Sequence, residues 1–296
     1  MNILDDLKLQ YKNGDMATKL IFWNLLLFTI PEIVFAVLQL FHININYFNY
    51  VALSNHFGNL AGQPWTIVSY SFFHSGFFHL LFNMIMLHFA SRLFITFFTQ
   101  KQLFGLYVLG GIFAGIIYLV CYTFLPSLSN QNTLLVGASA SIMAILFATM
   151  TYQPFMNIRL ALFGSIKLWH IAILYLAIDL IQLPLENTGG HLAHLGGAFF
   201  GFIWVKFLQN GTDLTSRFNA IIDGFANLFS PKKETPFKKI HRNPKPISTV
   251  KTASKIVTKD KTQQQIDEIL DKISKSGYDS LTADEKEFLF KVGKSQ

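Results

Sequence analysis

The chain has 296 residues, of which 51% are hydrophobic, 31 are Phe and only 14% are charged. A soluble domain carries about 25% charged residues, so an ordinary water-soluble enzyme is excluded. The net charge of +7 is equally uneven. Residues 231–262 hold ten Lys/Arg against two Asp/Glu, while residues 1–230 are close to balanced.

A mixed-charge segment, residues 1–19, opens the chain. Six apolar runs follow, at about 20–41, 76–98, 103–125, 134–152, 165–184 and 190–208. Each approaches the roughly 20 residues that a helix needs to cross hydrocarbon. The first is too long in its apolar part, and lacks the small-residue cleavage site, to be a secretory signal. Glu32 and Pro31 fall within it, and Pro31 is a candidate helix break. The fold class expected is an all-α membrane protein, a six-helix bundle over residues 20–208. Cys121 is the single cysteine; it allows no internal disulfide and reads as a small buried residue.

The connecting segments alternate in charge. Residues 42–75, 126–133 and 185–189 contain no Lys or Arg, whereas Arg92, Lys101, Arg159, Lys167 and Lys206 fall at the opposite ends of the runs. Positive charge marks the cytoplasmic side, which places both termini there. The long loop before the second run is rich in aromatic residues (Tyr47, Phe48, Tyr50, Phe57, Trp65), as suits an outer membrane–water interface.

Polar groups inside such runs are costly and are functional candidates by default. They are His74, His79, Asn83, His88, Ser139, Ser141, Asp179, His191 and His194. Runs two, four and six cross in the same direction, so His79, Asn83, Ser139 and His194 share one depth near the outer surface. Ser139 stands in Gly137-Ala138-Ser139-Ala140-Ser141, and His194 in a stretch with Ala193, Gly197 and Gly201. Small residues let two helices approach closely, which would bring a hydroxyl nucleophile to the base it needs. His79 and Asn83, at i and i+4, share a helix face and are candidate donors to an oxyanion, with backbone N–H near Ser139. Ser141 points some 200° away from Ser139 around a helix and reads as packing. His191-x-x-His194 raises metal binding, but no cysteine or close carboxylate completes a set, so no metal and no cofactor are expected. His191 then reads as a capping or interfacial residue, His88 as a packing or hydrogen-bonding residue and Asp179 as a structural one, hydrogen-bonded near the outer end of run five.

Three of these motifs, His79-x-x-x-Asn83, Gly137-x-Ser139 and Ala193-His194-x-x-Gly197, resemble those of rhomboid intramembrane serine proteases in order and spacing. The resemblance covers residues 15–208. It implies a Ser139–His194 dyad without a catalytic carboxylate, oxyanion stabilisation by His79 and Asn83, and cleavage of membrane-anchored protein substrates near the outer face. Trp65 and His74 match loop positions of the same family. Ala140 and Met143 depart from it, standing where a glycine and an aromatic are usual. The alternative is a catalytically inactive relative that binds transmembrane segments. A transporter is disfavoured because no charges line a path. A six-span core without an added helix fits a bacterial plasma membrane.

Beyond the bundle, residues 209–262 read as a basic, proline-containing flexible linker able to lie along anionic lipid. Nucleic acid is disfavoured, because aromatics do not interleave. Residues 263–296 read as a small helical hairpin. Ile266, Ile269, Leu270 and Ile273 fall at helical spacing, Gly277 is a stop, and Thr282-x-x-Glu285 is a capping-box start. It has no identifiable partner.

Overall fold

The computed structural model describes residues 2–160, 164–229 and 261–294. It divides into two compact units, residues 1–232 and 233–296. Most of the basic stretch, residues 230–260, lies outside the described residues.

In the first unit a short helix α1 (Ile3–Asn13) leads into α2 (Met16–Leu40), which Asp15 caps by accepting from the Thr18 N–H at 2.8 Å. The expected break at Pro31 is absent. The helix runs through it, since one missing N–H among 25 residues leaves the rest of the ladder intact. The aromatic loop then makes three short helices, α3 (Phe48–Val51), α4 (Phe57–Gly62) and α5 (Thr66–Ser69), with a two-residue strand β1 (Leu53–Ser54) between the first two. The remaining bundle helices are α6 (Phe77–Phe94), α7 (Gln100–Phe124), α8 (Ser139–Tyr152), α9 (Leu168–Gln182) and α10 (Thr188–Gln209). All six apolar runs therefore contain a helix. By length and hydropathy α2, α6, α7 and α10 can cross a membrane, while α8 and α9 are shorter apolar helices.

The fourth run differs from its predicted helix over 134–152. Leu134–Leu135 forms strand β2, paired antiparallel with β1, and the helix starts only at Ser139. Gly137, at φ +123°, breaks the run in a conformation that L side chains rarely adopt. The 14-residue α8 needs no full crossing of its own, because every residue from Ala140 to Thr149 is buried in protein. Between α8 and α9, β3 (Asn157–Leu160) and β4 (Gly164–Lys167) form a hairpin that carries Arg159 and Lys167.

The α8–α10 seam is built on glycine. A Cβ on Gly197 would run into the Ala140 carbonyl oxygen, and one on Gly201 into that of Ala144. On the other side of α8, Ser141 is fully buried with its hydroxyl facing Gly111 of α7. Tyrosines tie α7 to the loop that leads into α6: Tyr70 donates to the Gly111 carbonyl and Tyr107 to that of Ser71, both at 2.6 Å.

Part of the expected linker is a helix, α11 (Leu214–Phe229). The physical reason is legible in its first residues. Asp213 accepts from the N–H and hydroxyl of Thr215 at 2.8 and 2.6 Å, from Trp204 Nε1 at 3.2 Å, and from Gln102 Nε2 at 3.0 Å. The carboxylate thus starts α11 while joining it to α10 and α7. Thr215 packs where Gly105 leaves room, and Phe218 stacks near Phe104.

The second unit holds α12 (Lys261–Ser276) and α13 (Ala283–Lys294). Gly277, at φ +77°, ends the first helix. Glu285 accepts from the Thr282 N–H at 2.7 Å, and its own N–H donates to Thr282 Oγ1 at 3.3 Å, closing the capping box. Lys272 pairs with Glu285 at 2.8 Å across the hairpin, over the buried Ile269 and Leu281.

Candidate active site

Ser139 is the first residue of α8. Two fastenings fix the approach to it: the Gly137 N–H donates to the Tyr70 carbonyl at 2.9 Å, and the Ala138 N–H points at His74 Nε2 at 3.4 Å. The first N–H groups of a helix have no intrahelical acceptor, and the helix dipole adds partial positive charge there. Ser139 therefore sits beside ready donors.

His194 lies two turns into α10, across the glycine seam. Its Nε2 is 2.6 Å from Ser139 Oγ. Its Nδ1 is 2.8 Å from Asp179 Oδ1 of α9, and the same oxygen is 2.7 Å from His191 Nδ1. An ionised carboxylate can only accept, so both Nδ1 atoms carry the proton. The His194 Nε2 lone pair is then left to accept the Ser139 hydroxyl proton. Asp179 is buried, 4% exposed, and its Oδ2 has no hydrogen-bond partner among the described residues.

On α6, His79 and Asn83 face the same space. His79 Nδ1 is 3.1 Å from Ser75 Oγ, and its Nε2 lies where a Cβ on Gly137 would clash. Asn83 spends one amide hydrogen on the His79 carbonyl at 2.8 Å and keeps the other. A cavity of about 830 Å³ opens over His79, Asn83, Gly137, Ser139 and His194. A smaller, apolar one of about 180 Å³ runs beneath, lined by Phe82, Met86, Met143 and Tyr175, with Ser139 and His194 also on its wall.

Three sequence expectations need correction here. His191 is a buried partner of Asp179 rather than a capping or interfacial group. A carboxylate does lie close to the histidine pair: the ligand atoms of Asp179, His191 and His194 fall within 4.8 Å of one another. With metal–nitrogen bonds of about 2.0–2.1 Å, ligand atoms around a tetrahedral ion stand about 3.3 Å apart. The 2.7 and 2.8 Å spacings found are those of shared protons. His88 is exposed on α6 instead of packed, near enough to Asp15 to act on its charge. Glu32 accepts from the Tyr47 hydroxyl at 2.9 Å, joining α2 to the aromatic loop. Trp65 donates to the Tyr50 carbonyl at 2.8 Å.

Residues 61–210 match the Rhomboid domain, just over half of the chain. The chain belongs to the rhomboid family. Like other members it is a membrane protein of apolar helices. Over 140 residues it is 32% identical to presenilin-associated rhomboid-like protein A, mitochondrial, of Danio rerio, an alignment covering 46% of this chain and 36% of that one. The chain thus spans about a third of the length of this curated relative. Residues 257–294, which include the helical hairpin, match a family of unknown function, DUF6576.

Proposed function

We propose that this rhomboid is an intramembrane serine endopeptidase, with Ser139 as nucleophile and His194 as general base. The observation that carries the reading is the 2.6 Å separation between Ser139 Oγ and His194 Nε2 at the floor of an open cavity. Serine is a poor nucleophile unless a base takes its proton as it attacks.

The reaction follows from the geometry. Ser139 Oγ attacks the scissile carbonyl carbon while its proton passes to His194 Nε2. The carbonyl oxygen becomes an oxyanion facing the α8 N-terminus, the free amide hydrogen of Asn83, and His79. Collapse breaks the C–N bond, and His194 returns the proton to the leaving amine. Water then repeats the cycle on the acyl-enzyme. Preorganised oxyanion donors of this kind are each worth about 10²–10³ in rate.

The substrates we propose are membrane-anchored proteins, cut near the face where loops lack Lys and Arg, with both termini of the chain on the cytoplasmic side. A plasma membrane of bacterial type is the setting that the six-span core fits. The test is a fluorophosphonate probe on the full chain in liposomes. The wild type should be labelled, and Ser139→Ala and His194→Ala should not. Absence of wild-type labelling with retained binding of a transmembrane segment would make the chain a non-catalytic binder instead.

A further inference from the structure

We infer that Asp179 is a positioning residue for His194, held in place by His191, so that the reacting pair is extended into a Ser139–His194–Asp179 relay with a second histidine as its anchor. The inference rests on the protease reading above and goes beyond the two-residue machinery that the family resemblance implies.

Four observations carry it. Asp179 comes from α9, a different helix from either reacting group, yet its Oδ1 reaches His194 Nδ1 at 2.8 Å. That contact lies on the opposite side of the ring from Ser139, where an orienting group must be if it is to fix which nitrogen is bare. The carboxylate is buried, and a buried charge is tolerated only when it is paired or hydrogen-bonded. Finally, among the described residues the carboxylate is hydrogen-bonded to the two imidazoles alone, since Oδ2 has no partner there. A carboxylate kept merely for packing or capping would be expected to bond to backbone or to neighbours on its own helix. This one is aimed at a single oxygen's worth of contact with His191 and His194, one turn apart on α10.

The arrangement favours the transition state over the resting state. A general base must start as a neutral imidazole, so before the reaction the carboxylate meets no charge on His194. When Ser139 gives up its proton, His194 becomes an imidazolium 2.8 Å from the carboxylate. The proton on Nδ1 stays there throughout; the only proton that moves is the one from Oγ to Nε2 and on to the leaving amine. Stabilisation that appears only with the developing charge raises the rate of the chemical step and leaves substrate binding alone. His191 does not touch the reacting atoms. By donating to the same oxygen it stops the carboxylate from swinging away towards solvent.

The experiment compares Asp179→Asn and Asp179→Leu with wild type in liposomes, with turnover expressed per site titrated by the fluorophosphonate. Asparagine keeps an acceptor at the same place but removes the charge, and leucine of the same shape removes both. We expect kcat to fall about 10–100-fold for Asp179→Asn and about 10³-fold for Asp179→Leu, with KM within about twofold of wild type. Nitrogen-15 NMR of histidine-labelled protein should show His194 as the Nδ1–H tautomer in wild type and chiefly Nε2–H in Asp179→Leu. The NMR signature is read on resting protein, so it separates the two claims. A wild type that carries the Nδ1–H tautomer but takes no probe would sink the protease reading and leave the positioning intact. Equal kcat per titrated site in all three proteins, or a His194 tautomer indifferent to position 179, would overturn the inference. A variant that merely folds badly lowers the number of titrated sites and not the turnover of each.

Discussion

The two sides of the bundle are built on opposite rules. Along the α8–α10 seam every contact is tight: Ala140 through Thr149 are all buried, and two glycines of α10 lie against backbone carbonyls of α8. Helix α2 is buried only towards its N-terminus, at Ala17, Leu20 and Asn24. Beyond Asn24 it shows Leu26, Ile30, Ile33, Val34 and Val37 to the surroundings. A membrane makes this contrast possible. Lipid removes the penalty for exposed apolar side chains, so packing quality can be concentrated where Ser139 and His194 are held within hydrogen-bond reach.

The comparison can be broken from either side. The largest effect is expected in the seam's cargo. Ser139→Ala and His194→Ala should each reduce cleavage of a membrane-anchored substrate by at least about 10³-fold; thermal unfolding should be unchanged for Ser139→Ala, which loses one oxygen, and lowered for His194→Ala, which takes a hydrogen bond from the buried Asp179. Next come the glycines. Gly201→Val should destabilise the chain by about 3 kcal/mol or more and lower the labelled fraction, since the added carbons meet backbone rather than a flexible side-chain end. His191→Ala should slow turnover about tenfold with KM little changed, and less than Asp179→Leu does, because one donor to the shared oxygen remains.

Asp213 gives a smaller, pH-dependent effect outside the spans. Burial works to raise its pKa, but hydrogen bonds from Thr215, Gln102 and Trp204 outweigh it and hold the carboxyl below its ordinary 3.8. The unfolded chain therefore binds the proton more readily. The stabilisation is complete above that ordinary value and is lost as pH falls through the lower, folded one. Asp213→Asn should weaken α11 docking at neutral pH and flatten this acid dependence, read by proteolysis at the α10–α11 junction. At the far end of the scale, Leu26→Ala and Val37→Ala on the exposed face of α2 should shift unfolding by less than about 0.5 kcal/mol. A large loss there would show that α2 is packed after all.

The helices were legible because hydrocarbon demands long apolar runs. The grouping of His79, Asn83, Ser139 and His194 around one cavity was legible because alternate spans run in one direction. Their ends were not. The fourth run is apolar from Leu134 onward, but Gly137's backbone and the pairing of Leu135 with Leu53 delay the helix to Ser139, and pairing between distant segments leaves no local trace. Asp179 was visible as an intramembrane acid, at the right end of its span, and was read as structural. The signal that pointed to more was the i, i+3 histidine pair beyond it, whose two Nδ1 donors suit one acceptor. The start of α11 was hidden behind the basic stretch that follows. Its Asp213-Leu214-Thr215 opening is an N-cap signature, and the charge-based reading of 209–262 as a single linker passed over it.

The strand before Ser139 has a mechanical consequence. Leu135 is laddered to Leu53 and Gly137 is bonded to Tyr70, so the chain entering α8 is moored at two points to the long aromatic segment. Tension applied to that segment would reach the Ser139 hydroxyl through these two moorings, each within four residues of it. Lengthening the segment by a residue between Leu53 and Tyr70 would slacken one mooring against the other, and Ser139 would register the slack.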